Sequence, residues 1–231
     1  MVKRCVIIVA GGKGNRFKSE IPKQFVNLNG LPVLMHSINA FYKFDNLIHI
    51  IVVLPKDQLE LWENLCHQHH FDIKHQIVTG GEFRFHSVKN ALALAKSAHL
   101  VAIHDAVRPL IDIETITTCF ETAQIKGNAI PIVELVDSIR KINADGSNFI
   151  EDRSKFCLIQ TPQVFKTELI LEAFNQDFNP LFTDDASVLE SIYRGTINLV
   201  KGDRQNIKIT TPEDLIYAEA ILTRIIHTKT K

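Results

Sequence analysis

Strand-length runs of aliphatic residues recur along the chain with helix-length stretches between them, and this alternation limits the fold more than any other feature. The runs are "CVIIVA" (5–10), "IHIIVVL" (48–54), "LVAIH" (100–104), "AIPIV" (129–133) and "INLVKG" (197–202), with a weaker "HQIVTG" (75–80) that suits an edge. They are apolar continuously rather than at every second residue. Both faces of such strands must therefore be covered, the condition of a parallel sheet with helices on each side. Helical spacing fits 32–43, 57–69, 82–97, 112–126, 167–178 and 185–194; in the third, Val88, Leu92 and Ala95 share a face. A seventh helix has the clearest start: in "TTPEDLIYAEAILTRII", Thr211 is placed to cap, Pro212 sits in the first turn, and Glu213 and Asp214 complement the dipole. The expectation is a doubly wound, mostly parallel α/β fold.

At 231 residues the chain has the length of one large domain, read here as 1–231. One segment, 136–160, breaks the rhythm: "VDSIRKINADGSNFIEDRSKFCLIQ" places the turn signal Asp145-Gly146 between two polar, strand-like stretches. It is expected to be a protruding hairpin arm, whose exposed edges would serve to dimerise the chain. Lysine plus arginine equals aspartate plus glutamate, 26 each, so no field directs the protein to nucleic acid or to an anionic membrane. Four scattered cysteines without a C-x-x-C pair suit reduced thiols of a cytoplasmic protein. The apolar amino terminus runs straight into glycines and reads as a strand, not a signal peptide. No apolar stretch reaches the length of a membrane span.

The chemistry gathers where strands end. In an open α/β sheet, ligands bind at the carboxyl ends of the strands. "AGGKGNRF", "TGGEFRFHS", "HDAVRP" and "VKGDRQNIKIT" all follow apolar runs, so parallel strands would bring them to one rim. The first loop is not a P-loop, for no glycine precedes Lys-Ser or Lys-Thr, and the dinucleotide fingerprint meets Phe17 where its third glycine belongs. It still offers bare amides at Gly11, Gly12 and Gly14, with Arg16 and Lys23 as full cations and Pro22 restricting the backbone before Lys23. Gly81 permits close approach, Glu82 could accept from a ribose or a base, and Ser87 could read a base edge. Arg84 by default is a helix-surface charge. Asp105 could hold Mg²⁺, which takes one or two carboxylates plus phosphate oxygens, or pair structurally with Arg108. Asp184-Asp185 reads mainly as a helix cap, with a direct catalytic role as the alternative, and His67 with His70 as a solvated helix end, lacking a third metal ligand. No Gly-x-Ser-x-Gly elbow is present, and no cysteine is paired with a histidine. The inventory neutralises charge without covalent catalysis.

In order and across nearly the whole chain, "AGGKGNRF…PKQF", "GGEFRFHSV", "HDAVRP", "QTPQVF", "TDDAS" and "NIKITTPEDL" resemble the 2-C-methyl-D-erythritol 4-phosphate cytidylyltransferases, members of a nucleotidyltransferase superfamily with a Rossmann-like sheet. The resemblance implies transfer of a cytidylyl group from CTP to methylerythritol phosphate, with Mg²⁺ as cofactor, in non-mevalonate isoprenoid synthesis. It casts Arg16 and Lys23 as stabilisers of the transition state, with Lys208 reaching the phosphates from the last strand. Ala10, Gly11, Gly81, Glu82 and Ser87 would form the cytidine pocket, with Gly12 and Gly14 in the same loop. Asp105 would place Mg²⁺ and the sugar phosphate. Ser138 and Arg153 of the arm would bind the sugar phosphate of a partner subunit in a homodimer, and Thr161 and Thr183 would add polar contacts.

Ser138 and Arg140 replace a usual threonine and lysine, and Val107 is shared with the related ribitol 5-phosphate cytidylyltransferases, whose pattern does not keep "TDDAS". Ribitol phosphate is therefore the rival substrate. A nucleotide sensor without turnover would not need two cations at one phosphate, and an NAD-dependent oxidoreductase is favoured only by Gly12 and Gly14.

Overall fold

A computed structural model describes residues 2–10 and 21–229. Its first strand, β1 (Arg4–Val9), is followed by a small ribbon of β2 (Asn27–Leu28) and β3 (Leu31–Pro32), then α1 (Val33–Phe44), β4 (His49–Leu54), α2 (Leu59–Gln68), β5 (Gln76–Thr79), α3 (Arg84–Leu92) and β6 (Leu100–Asp105). The second half runs α4 (Ile113–Lys126), β7 (Asn128–Glu134), β8 (Ile139–Ile142), β9 (Asn148–Glu151), β10 (Cys157–Ile159), β11 (Gln163–Lys166), α5 (Thr167–Ala173), α6 (Asp185–Glu190), β12 (Leu199–Lys201) and α7 (Pro212–Lys229).

The main sheet has the order β10-β7-β11-β6-β1-β4-β5, with β12 also paired to β7. β1 lies parallel between β4 and β6, β5 extends the sheet in parallel beside β4, and β12 is parallel to β7. β11 runs antiparallel between β6 and β7, and β10 pairs antiparallel with β7. The sheet is mostly parallel at its centre, as expected, and β5 does form an edge. The sequence reading missed β11, since "QVFK" is only four residues long and is polar at both ends.

Covering both faces decides the core. Val6 and Ile8 of β1 face α1, α2 and α4, meeting Ile38, Phe41, Trp62 and Phe120. Cys5 and Ile7, the alternate residues, face α3, α5 and α6, meeting Val88, Leu92, Ile170 and Leu189. Each fully buried aliphatic or aromatic side chain of this kind contributes about 1.5–3 kcal/mol. A third cluster seats α7, through Ala218, on Leu28, Val33, Val107 and Ile209.

Helix ends follow the local chemistry. The Asp112 side chain accepts from the Thr115 amide at 2.6 Å to start α4, and Gly127, at φ 97°, ends it in the left-handed region that favours glycine. Thr211 Oγ1 accepts from the Asp214 amide at the start of α7 while the Asp214 carboxylate accepts from the Thr211 amide, a reciprocal cap.

The arm is real but shorter than 136–160. β8 and β9 pair antiparallel around a turn with Gly146 at φ 83°, whereas β10 returns to the main sheet. Cys157, Leu158 and Ile159 pair with Glu134, Val133 and Ile132 of β7, which draws that end of the segment back into the sheet. No helix among the described residues is long and apolar enough to cross a membrane. All four cysteines are free thiols, and burial pushes Cys5 and Cys119 up to about 12.

Candidate active site

The carboxyl ends of β1, β4, β5 and β6 open on one side into a cleft of about 600 Å³. Its walls include Ala10, Lys23, Gly81, Glu82, Ser87, Asp105 and Lys208, which the sequence reading assigned to separate motifs. Arg16, Gly11, Gly12 and Gly14 lie outside the described residues.

Each wall is held by identifiable contacts. Lys23 stands on a single turn of 3-10 helix, Lys23–Phe25, that starts after Pro22. Its neighbour Gln24, 1% exposed, donates to the Ala10 carbonyl at 3.1 Å and so ties that turn to the end of β1. On the opposite wall the Ser87 hydroxyl accepts from the Gly81 amide at 3.1 Å. A Cβ on Gly81 would lie 2.4 Å from His86 Cβ, so only glycine lets the loop pack so closely on the start of α3. Ser87 is buried and shapes this loop from beneath, while Glu82 is exposed beside the opening.

Charge concentrates on Asp105, the last residue of β6. Its Oδ2 is 2.9 Å from Lys208 Nζ and 3.4 Å from Arg108 Nε, and its Oδ1 is 3.8 Å from Arg84 Nε. Burial alone would raise the Asp105 carboxyl, but Arg84, Lys208 and Arg108 outweigh it and hold it well below the usual carboxylate range. Lys208 was expected to reach the phosphates from the last strand, but it lies seven residues past the end of β12 at Lys201. It sits in irregular chain beyond β12, which the Ile209 amide anchors to the Val107 carbonyl at 2.9 Å. The strand ends early because Gly202 and Asp203 lead into polar loop contacts around Asn206.

Arg84 is the residue most under-read from sequence. Far from a solvated helix charge, it grips the wholly buried Asp185 through two hydrogen bonds, 2.6 and 2.7 Å, and lines the cleft. Burial works against its charge, yet Asp185 and Asp105 hold the guanidinium protonated. In the Asp184-Asp185 doublet, Asp184 alone caps α6, by a reciprocal bond with Ser187. A second acid where one suffices was the available signal for Arg84's partner.

The remaining expected substrate residues stand elsewhere. Ser138 and Arg153 are exposed at the base of the arm, where Arg153 donates to the Val136 carbonyl, and neither lines this cleft. Thr183 borders a small hollow against Arg84 and Asp185, its amide donating to Ser187 Oγ at 3.0 Å. Thr161 is 5% exposed and turns its hydroxyl inward to His104 rather than to the cleft. Lys56, Asp57, Gln58 and Phe83 also line the cleft, and none was singled out from sequence. Their 3-10 turn and loop carry no residue pattern distinct from ordinary surface. Among the described residues no group of three or more His, Cys, Asp or Glu could cage a metal.

Comparison with known proteins gives a consistent result. A family model described as IspD, 2-C-methyl-D-erythritol 4-phosphate cytidylyltransferase, matches residues 4–224. A protein of that name from Bacteroides thetaiotaomicron is 48% identical over 221 residues, spanning 96% of this chain and 100% of the relative. Another, from Phocaeicola vulgatus, is 49% identical over the same length and spans. The crystal structure of the 4-diphosphocytidyl-2C-methyl-D-erythritol synthase of Anaerococcus prevotii matches with a TM-score of 0.82 at 28% identity, covering 96% of each chain.

Proposed function

From the premise that the chain belongs to the IspD family of 2-C-methyl-D-erythritol 4-phosphate cytidylyltransferases, we propose how its cleft carries out the reaction. The enzyme transfers a cytidylyl group from CTP to 2-C-methyl-D-erythritol 4-phosphate, giving 4-diphosphocytidyl-2-C-methyl-D-erythritol and pyrophosphate. A phosphate oxygen of the sugar attacks the α-phosphorus, a P–O bond forms there, and the bond to pyrophosphate breaks. An anion approaches an anion, so the protein must supply positive charge and in-line geometry, while a phosphate nucleophile needs no general base at neutral pH.

The observation that carries this reading is the meeting of Lys23, Lys208 and Asp105 in one cleft with the Gly81–Ser87 loop. Lys23 and Arg16 stabilise the charge that builds on the α-phosphate. Lys208, at present paired with Asp105, exchanges that partner for substrate phosphate. Ala10, Gly81, Glu82 and Ser87 shape the cytidine pocket, with Gly11, Gly12 and Gly14 in the same loop as Arg16.

A Mg²⁺ ion fits as cargo of the triphosphate and not as a protein-caged ion. Asp105 is one carboxylate, and its Oδ2 already accepts from Lys208 at 2.9 Å, whereas among the described residues Oδ1 has Arg84 Nε at 3.8 Å as its ion-pair partner. Asp105 Oδ1 is therefore the residue atom to hold the ion. The chemistry such an ion would supply is neutralisation of the nucleotide's phosphate charge.

The arm supports a homodimer. Ile142 and Ile150 are 75% and 76% exposed on it, an apolar cost that a second copy would remove, and Arg153 and Ser138 stand outside their own chain's cleft. They contact sugar phosphate in the partner's cleft. The setting is the cytoplasm, in keeping with free thiols.

Mixing CTP, Mg²⁺ and methylerythritol phosphate with the enzyme tests the assignment. Pyrophosphate release is expected there and not with ribitol 5-phosphate; preference for ribitol phosphate would reverse the substrate.

A further inference from the structure

We propose that His104 and Thr161 act together as positioning residues for this cytidylyl transfer, clamping the Asp105–Arg108 turn so that Asp105 and Lys208 meet the reacting phosphates at one fixed place. The inference rests on the catalytic reading above and adds to it two side chains that do not themselves line the cleft.

His104 is wholly buried in β6, its ring edge-on to Phe41 with centroids 5.0 Å apart. Nε2 lies 3.1 Å from the Arg108 carbonyl, and a carbonyl only accepts, so Nε2 carries the proton. Nδ1 is then an acceptor, and the Thr161 hydroxyl, 3.1 Å away, donates to it. With its proton so directed, Thr161 Oγ1 accepts from the Asp105 amide at 3.0 Å. One imidazole therefore grips the turn at both ends, residue 108 directly and residue 105 through Thr161.

The clamp reaches Lys208 as well. Asn206 Nδ2 donates to the Thr161 carbonyl at 2.9 Å, and the Asn206 carbonyl accepts from Arg108 Nη1 at 2.8 Å. Asn206 is itself fully buried just before Lys208. Three separate rim segments, around residues 105, 161 and 206, thus share one buried hydrogen-bonded network, in which each member fixes the next. A threonine whose proton and one lone pair are both spent inward orients the turn and does not greet the substrate.

Steady-state kinetics of Thr161→Val, Thr161→Ser and His104→Phe, with CTP and methylerythritol phosphate, tests the clamp. Thr161→Val keeps the shape and removes the hydroxyl, and Thr161→Ser keeps the hydroxyl. For Thr161→Val, kcat is expected to fall about 10- to 100-fold, the scale of a small misplacement of reacting groups, with KM changed less than about twofold. Thr161→Ser should recover most of the rate, and the double variant His104→Phe/Thr161→Val should be no slower than the slower single one. A Thr161→Val enzyme with raised KM for the sugar phosphate and unchanged kcat would make Thr161 a direct substrate contact and overturn the clamp. Losses that multiply in the double variant would overturn it too. Nitrogen-15 spectra of wild-type His104 provide a measurement independent of turnover and of how the variants fold. The Nε2–H tautomer is expected, and an Nδ1–H ring or an imidazolium at neutral pH rejects the proposal. A wild-type enzyme that released no pyrophosphate would count against the catalytic reading alone, since the tautomer still decides the clamp.

Discussion

At the scale of single residues, the site depends on cations whose charge is aimed at one carboxylate or one phosphate. Lys208 Nζ sits 2.9 Å from Asp105, so Lys208→Ala removes a cation without opening the core, the lysine being exposed. Loss of one preorganised electrostatic contact commonly costs about 10²–10³ in kcat. Lys23→Ala and Lys208→Ala are each expected to lose about that much pyrophosphate release while keeping the wild-type unfolding midpoint; near-normal kcat in either removes it from the reacting phosphate. Arg84 differs, because its partner Asp185 is wholly buried and held by two parallel bonds. An ammonium cannot make that fork. Arg84→Lys should therefore lower both stability and rate, and Arg84→Ala more so, because it leaves the wholly buried Asp185 carboxylate without its partner, a loss of about 3–5 kcal/mol. Urea melts of the two variants check the order. Asp184, Asp185 and Arg84 also mark the limit of reading residues singly: the doublet was legible as a cap, but not the arginine that the second acid holds from α3.

At the scale of elements, short pieces of chain position the chemistry. The Gly81 loop joins β5 to α3 with no room for a side chain, since a Cβ would lie 2.4 Å from His86 Cβ. Gly81→Ala is expected to push the loop off the start of α3 and weaken CTP binding with little change in thermal stability, measured by calorimetric titration with CTP. Undiminished affinity would show that the loop does not set the nucleotide pocket. Helices were legible from apolar spacing, which is local, and α4 and α6 also carry local caps, Asp112 with Gly127 and Asp184 with Ser187, whereas α1, α2, α3 and α5 start without a side-chain cap. β11 and the closing strand β10 were not, because their reason for being strands is the pairing with β6 and β7, contacts between distant parts of the chain. The apolar run "INLVKG" reads as a strand over 197–202, of which the structure keeps Leu199–Lys201 as β12.

At the scale of the whole molecule, buried histidines tie stability to pH. Burial lowers His75, whose Nε2 accepts from Trp62 Nε1 at 3.0 Å, and lowers His104 to about 4. An unfolded histidine takes a proton near pH 6.5, so on acidification the unfolded chain binds protons that the folded one refuses. Stability is full above about 6.5 and falls as pH drops toward 4, and thermal unfolding between about pH 7 and pH 5 should show the midpoint fall. His75→Gln should make that fall shallower; an unchanged slope would exclude His75 as a contributor. The arm sets the other test at this scale. If it completes a partner's cleft, mixing inactive Arg153→Ala with inactive Lys23→Ala chains restores part of the activity, and no rescue after verified subunit exchange rejects the shared site. By itself the sequence determined the alternating layers, the rim on which Lys23, the Gly81 loop and Lys208 meet, the arm and the family, because each is written in local pattern: apolar period, cap, turn and motif. The Asp105–Arg108 pair, three positions apart, was legible as well, but only the tertiary structure decided which distant charges touch. The Asp105 cluster, the Arg84–Asp185 fork and the His104–Thr161 clamp join residues dozens of positions apart, and their energies come from burial and distance, quantities that exist only once the sheet has brought those ends together.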